Sequence, residues 1–233
     1  MENIFFKYMK ERRGRRKSNK VPESSLGPVI TISREYGCPA RKIAAKLAET
    51  LNKKNKKVGI KNEWRVVSKE IIEESAKELE LSPSLVHEIS DRKHNSFVDD
   101  LALFFSDNYY LGNTKIKNTI AKFIYETAAE GNVIIVGRAA EAITKDIKKS
   151  FHAKIVAPLD WRAQEVSFEE NLSFSEAKKK CIEEDKKRAH FRHFFEGDKP
   201  DVEYFNISFN YRDMSDTEII ELLVIISEIR GFV

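Results

Sequence analysis

Apolar and polar positions along this chain switch repeatedly between a period of two and a period of 3.6. Residues 29–32 (Val-Ile-Thr-Ile) form a β-branched run that predicts a buried strand, bounded by a polar turn through Gly37. Pro39 then opens a segment in which Ile43, Leu47 and Leu51 share one helical face, while Lys42, Lys46 and Glu49 fall elsewhere around it. Proline suits a first helical turn, where its missing N–H is not needed. Residues 52–57 read as lysine and asparagine punctuation, and 64–67 as a short second strand. From Ser68 the period is helical: Ser68 precedes Ile71, Ile72 and Ala76, and Ser82-Pro83 precedes Leu85, Val86 and Ile89. Residues 97–105 and 116–129 add two more helical stretches. Residues 132–136, between Gly131 and Gly137, are a continuous apolar run and the clearest buried strand. Residues 153–157 predict a fourth strand, followed by a helix bearing Arg162 and Glu165. Ser173 begins a long helix with Ala177, Cys181 and Ile182 on its apolar side. Residues 204–210 alternate as a fifth strand, and Ser215-x-x-Glu218 is a capping-box signature before a helix over 216–229.

Strands alternating with helices in this order predict an α/β fold: a mostly parallel five-stranded sheet with helices on both faces. Four helical stretches between the second and third strands exceed one crossover. A helical insertion over about 68–130, lying across the strand ends, is therefore expected.

Composition narrows the class. The chain has 233 residues, 41% of them hydrophobic, and no window approaches the run of about eighteen apolar residues that crosses a membrane. A secretory leader is not expected, because the N-terminal basic residues follow Ile4-Phe-Phe6 and no small-residue cleavage site appears. The two cysteines, Cys38 and Cys181, are far apart and predict reduced thiols in a cytoplasmic protein. Net charge is +4, yet residues 10–20 hold seven basic residues and one acid, so the excess lies in an N-terminal extension over 1–27. That arm reads as solvated chain; nucleic acid is not expected as a partner except through it. Ile4, Phe5, Phe6, Tyr8 and Met9 offer the alternative of anchoring it to a partner subunit.

Three places carry candidate chemistry. The turn from Arg34 through Tyr36, Gly37, Cys38, Pro39 and Ala40 to Arg41 and Lys42 feeds a helix N-terminus, where unpaired amides and the helix dipole favour an anion. It does not satisfy G-x-x-x-x-G-K-[ST]: Ala40 stands where the phosphate-bridging lysine would be, and Arg41 and Lys42 follow as substitutes. Gly137-Arg138 ends the clearest strand, where a guanidinium can grip a phosphate or cap a carbonyl. Asp185, Arg188 and Arg192 share one face of the long helix, either converging on one partner or forming a salt-bridged surface. Tyr109 and Tyr110 could stack on a base or pack at a helix end, and the histidines show no metal spacing.

Residues 33–37 (S-R-E-Y-G), 133–138 (V-I-I-V-G-R) and 185–189 (D-K-K-R-A), in that order, resemble the cytidylate kinase-like family, a branch of the P-loop nucleoside monophosphate kinases. The resemblance runs from about residue 28 to the C-terminus and implies a P-loop kinase-like domain over 28–233, with a closing lid at about 173–200. It implies phosphoryl transfer from ATP to a nucleoside monophosphate, with CMP a candidate. Arg34 to Lys42 would hold the donor phosphates, Gly137 and Arg138 the acceptor, and Arg188, Arg192 and Asp185 would act from the lid. Magnesium would ride on the nucleotide, so no protein metal ligand is assigned. The family usually reads S-R-E-Y-G-S-G-G-R, whereas this chain has Cys38, Pro39 and Ala40. Its G-R-D triplet is here closed by Ala139, and Cys181 stands where a further lid arginine is usual. These departures define the alternative, a catalytically impaired nucleotide- or anion-binding protein retaining the kinase fold.

Overall fold

The computed structural model describes residues 27–68, 113–197 and 199–233. The basic arm, the helical stretches within 69–112, Arg92 to His94, Tyr109 and Tyr110 lie outside the described residues. The strands are β1 (Val29–Arg34), β2 (Arg65–Val67), β3 (Val133–Val136), β4 (Ser150–Val156) and β5 (Ile207–Asn210). The helices are α1 (Ala40–Lys57), α2 (Asn113–Glu130), α3 (Ala140–Ile143), α4 (Leu159–Glu170), α5 (Phe174–Glu196) and α6 (Asp216–Ile229).

The five strands form one sheet in the order β2-β3-β1-β4-β5, and every neighbouring pair is parallel. β1 is central, with Ile32 opposite Val136 of β3 and Ala153 of β4. Both faces are covered. On one side Ile30, Ile32, Val136 and Ile155 pack with Ile43, Leu47 and Leu51 of α1 and Ile219 and Leu223 of α6. On the other, Val29, Val133 and Ile135 pack with Ile120 and Ile124 of α2 and Ala140 and Ile143 of α3. Burying each of these Ile, Leu and Val side chains contributes about 1.5–3 kcal/mol, so the alternation along β1 and β3 fixes which helix lies on which face.

Three boundaries differ from expectation, each because of long-range contacts. Residues 52–57 continue α1 instead of ending it. Asn52 grips both backbone groups of Trp64 (2.9 and 2.6 Å) and Asn55 donates to the Asn62 carbonyl (2.8 Å), so these polar residues satisfy the chain returning to β2. β4 starts at Ser150, not 153, because 150–152 pair with Val29, Ile30 and Thr31. β5 starts at Ile207: Tyr204 and Phe205 follow a single 3-10 turn, Asp201–Glu203, and bury their rings beside Ala142.

Because all strands run the same way, the carboxyl ends of β1, β3 and β4 open onto one edge, the edge where ligands of open α/β sheets collect. α4 and α5, joined through Asn171 in the left-handed region (φ +55°) and a Ser173–Glu176 capping box, pack beside that edge.

Candidate functional site

The turn after β1 determines what the edge can bind. Glu35 N–H still bonds β4 at Ile155 O (3.0 Å), Cys38 N–H bonds Glu35 O (3.2 Å), and Ala40 N–H bonds Cys38 O (3.0 Å). Tyr36 N–H donates to Asp185 Oδ1 of α5 at 2.7 Å. The amides of Gly37, Arg41 and Lys42 have no partner among the described residues. α1 has no side-chain N-cap and no acid in its first turn, so the positive end of its dipole is uncompensated there. Gly37 has φ +85°, and a Cβ on it would press on Val166 Cγ2 (3.1 Å) and Arg162 Cβ (3.2 Å). Only glycine lets the turn lie this close to α4. A hollow of about 200 Å³ opens in front of the turn, with Val166, Glu169, Glu170 and Arg188 on its far side.

Guanidinium groups crowd this hollow. Arg34 lies across Gly137, where any Cβ would collide with its Nη1. Burial first, then the fields of Arg188, Arg138 and Arg41, hold Arg34 well below the usual guanidinium range, while Glu141 pulls the other way. Arg188 donates to the Arg34 carbonyl (3.4 Å), lies 3.5 Å from Asp185 Oδ1 and sits 5.2 Å from the Tyr36 ring centroid. Burial lowers it too, against the pull of Asp185 and Glu184. The Tyr36 hydroxyl donates to Glu170 at 2.5 Å, and Lys180 pairs with the same carboxylate. An anion placed among these cations would relieve their mutual repulsion.

A buried brace that sequence reasoning did not assign a role underlies the turn. Arg162 of α4 donates to Ala157 O (2.9 Å), Tyr36 O (3.0 Å) and Asp185 Oδ2 (2.7 Å), with Glu35 at 3.3 Å. Its one sequence signal was position: an arginine between Trp161 and Ala163 on the face that also carries Val166. Asp185, expected only to orient arginines of its own helix, also joins α5 to α4 and to the β1 turn through its two oxygens. Glu141 was also missed. It is 2% exposed, lies 3.8 Å from Arg192, and burial pushes its carboxyl up against the pull of Arg192, Lys154 and Arg34.

The other expected residues divide. Gly137, Arg138 and Ala139 have φ of +70°, +62° and +52°, three left-handed residues in succession, a costly conformation for the two with side chains. Cys38 and Ala40 are buried with α1 in the core, and burial pushes the Cys38 thiol up to about 12. Pro39 supplies no N–H. Lys42, expected at the donor phosphates, has its amine 2.9 Å from Asp216 of α6, beside Lys46. Arg192 does not join Asp185 and Arg188: its contacts are Asp201 (3.3 Å), Glu141 and the rings of Tyr204 (4.9 Å) and Phe205 (5.5 Å). One turn further along α5, it faces Glu141 of α3 and the residues that lead into β5 instead of the β1 turn. Among the described residues no group of three His, Cys, Asp or Glu could hold a metal, and no helix is long and apolar enough to cross a membrane.

A parallel sheet of this order, with helices on both faces and a turn leading from the central strand into α1, defines an open α/β protein. The model of the cytidylate kinase-like family matches residues 29–213, and the chain belongs to that family. No curated protein matches it. Among solved structures it is similar in fold to an uncharacterized protein from Eubacterium ventriosum ATCC 27560, with 22% identity and a TM-score of 0.60 over 86% of this chain and 98% of that one. Shikimate kinase from Bacteroides thetaiotaomicron is 12% identical, with a TM-score of 0.47 over 87% and 97% of the two chains. Dephospho-CoA kinase from Campylobacter jejuni is 11% identical, with a TM-score of 0.39 over 88% and 98%.

Proposed function

We propose that this protein is a nucleoside monophosphate kinase-like phosphotransferase that moves a phosphoryl group from ATP to a nucleoside monophosphate, with CMP a candidate acceptor. One observation carries the reading: Arg34, Arg41 and Arg188 line one hollow, with Arg138 close enough for its charge to act on Arg34, and the amides of Gly37 and Arg41 stand there without partners among the described residues. Phosphoryl transfer requires chiefly such positioned positive charge and the exclusion of water. The donor set fits a polyphosphate: amides for bridging oxygens, guanidinium forks for terminal ones. Magnesium would be held by the nucleotide's own oxygens.

In this reading Arg34, Tyr36, Gly37, Cys38, Pro39, Ala40 and Arg41 form the donor cradle, and Gly137 and Arg138 meet the acceptor. Arg188 stabilises charge on the moving phosphoryl group, held by Asp185. Lys42 is left out because its amine serves Asp216. Arg192 acts on the acceptor side, beside Glu141 of α3. Residues 28–233 work as one domain, with 173–200 closing over the hollow and 1–27 as a basic extension. Cys38 and Cys181, both free thiols, suit a reducing cytoplasmic setting.

A second reading has its own support. Pro39 lacks an N–H, the Ala40 amide is spent on Cys38 O, and the Lys42 amine pairs with Asp216. The cradle is thus poorer in donors than a Walker loop, as in a protein that binds nucleotide without turning it over. One experiment separates the two. Purified protein with ATP, magnesium and a panel of nucleoside monophosphates is expected to release ADP, and Arg188→Ala to slow that release about 10²-fold or more. ATP binding by calorimetry with no turnover on any acceptor would establish the second reading and end the first.

A further inference from the structure

Arg162 is only 5% exposed, so no ligand in the hollow can touch it, yet it controls the surface a ligand would meet. The peptide joining Tyr36 to Gly37 is planar and trans, so its C=O and N–H point in opposite directions. The Tyr36 carbonyl is directed at Arg162 Nη1, 3.0 Å away. The Gly37 N–H then points away from Arg162 Nη1, and Gly37 is among the residues that line the hollow. The preceding peptide is fixed in turn: Tyr36 N–H is held by Asp185 at 2.7 Å, and Glu35 C=O receives the Cys38 N–H at 3.2 Å. Glycine at φ +85° turns freely about this peptide. Without a grip on the Tyr36 carbonyl, the same peptide could rotate and present its oxygen to an incoming anion, converting attraction into repulsion.

We propose that Arg162 is a positioning residue: by holding the Tyr36 carbonyl it aims the Gly37 N–H into the hollow as an anion donor, and Asp185 ties that orientation to helix α5. This rests on the reading of the turn as an anion site and adds the residue that sets its polarity. Glu35 and Asp185 offset the buried charge, at 3.3 and 2.7 Å. An arginine is required because Nε and Nη1 must reach Ala157 O, Tyr36 O and Asp185 at once, a fork that a lysine ammonium cannot reproduce.

The test uses the full-length chain labelled with ¹⁵N and titrated with inorganic pyrophosphate. In the wild-type protein the Gly37 amide resonance is expected to move on titration, whereas that of Tyr36, engaged by Asp185, stays in place. In Arg162→Lys the Gly37 response is expected to disappear and pyrophosphate affinity to fall roughly tenfold or more, the loss typical of a charge-assisted hydrogen bond. Wild-type affinity and a wild-type Gly37 response in Arg162→Lys would overturn the role of Arg162 and leave the anion site intact. If that variant does not fold, the wild-type titration decides by itself. Movement of Arg41 and Lys42 with Gly37 unmoved overturns the orientation argument; no movement of any turn amide overturns the anion site and this inference together.

Discussion

Gly137 shows how a single missing carbon shapes the site. Its φ of +70° already disfavours a side chain, and the space its Cβ would occupy is filled by the Arg34 guanidinium. A Gly137→Ala substitution is expected to destabilise the fold by about 1–2 kcal/mol through the left-handed backbone alone. It should also push Arg34 off its seat, weakening ATP binding about tenfold. Calorimetry and thermal melts measure the two effects separately, and unchanged affinity in a folded variant would show that Arg34 does not depend on this seat. Cys38 illustrates the opposite limit. Sequence spacing put it among the cradle residues, but its thiol, pushed up to about 12 by burial, packs with the core and offers the hollow little beyond its shape.

At the scale of elements, the important couplings join helices distant in sequence. Asp216 at the start of α6 receives Lys42 and Lys46 of α1, each at 2.9 Å, and the Tyr211 hydroxyl at 2.7 Å. Burial would raise its carboxyl, but these three hydrogen bonds outweigh that and hold it at about 2 instead of 3.8. A carboxylate depressed in the folded state contributes stability that is full above its unfolded value and is lost as pH falls through its folded one. The two lysine side chains are half exposed, so the contribution is on the order of 1 kcal/mol after solvent screening. Asp216→Asn is expected to lower unfolding stability by about that amount at pH 7 and to match the wild type near pH 2. Urea titrations at the two pH values measure this, and a deficit that persists at pH 2 would assign the effect to packing. The pairing of α4 with α5 is also electrostatic at its key point: Asp185 and Arg162 tie the helix pair to the β1 turn.

For the whole molecule, the parallel sheet sets both the site and its acid sensitivity. His152 lies in the middle of β4, its Nδ1 2.8 Å from the Thr31 hydroxyl of β1. Burial, with a smaller push from Arg230, lowers it from 6.5 to about 4. Its neutral form is the folded one. The unfolded chain therefore binds more protons between those values, and stability present above pH 6.5 drains away as pH falls toward 4. Chemical denaturation is expected to show a loss of about 2 kcal/mol between pH 7 and 5, with the slope reduced in His152→Gln. Equal stability of the wild type at the two pH values would contradict a buried neutral imidazole.

The order of strands and helices, the Ser215 capping box and the buried run of β3 were legible because each depends on neighbours within a few residues along the chain. Composition and local motifs also located the turn after β1, Gly137-Arg138 and the Asp185–Arg188 face. What they could not decide was the partner of each charge. Asp185 meets the Tyr36 amide across 149 residues, and Arg162 meets the Tyr36 carbonyl across 126. Lys42 turned to Asp216, Arg192 to Glu141 and Asp201, and Asn52 and Asn55 to the chain entering β2. A hydrogen bond or ion pair forms with whatever group the fold brings within about 3 Å. The chain by itself therefore fixed where the elements run, and only their packing into one sheet and two helical layers decided which charges face the hollow and which hold its walls.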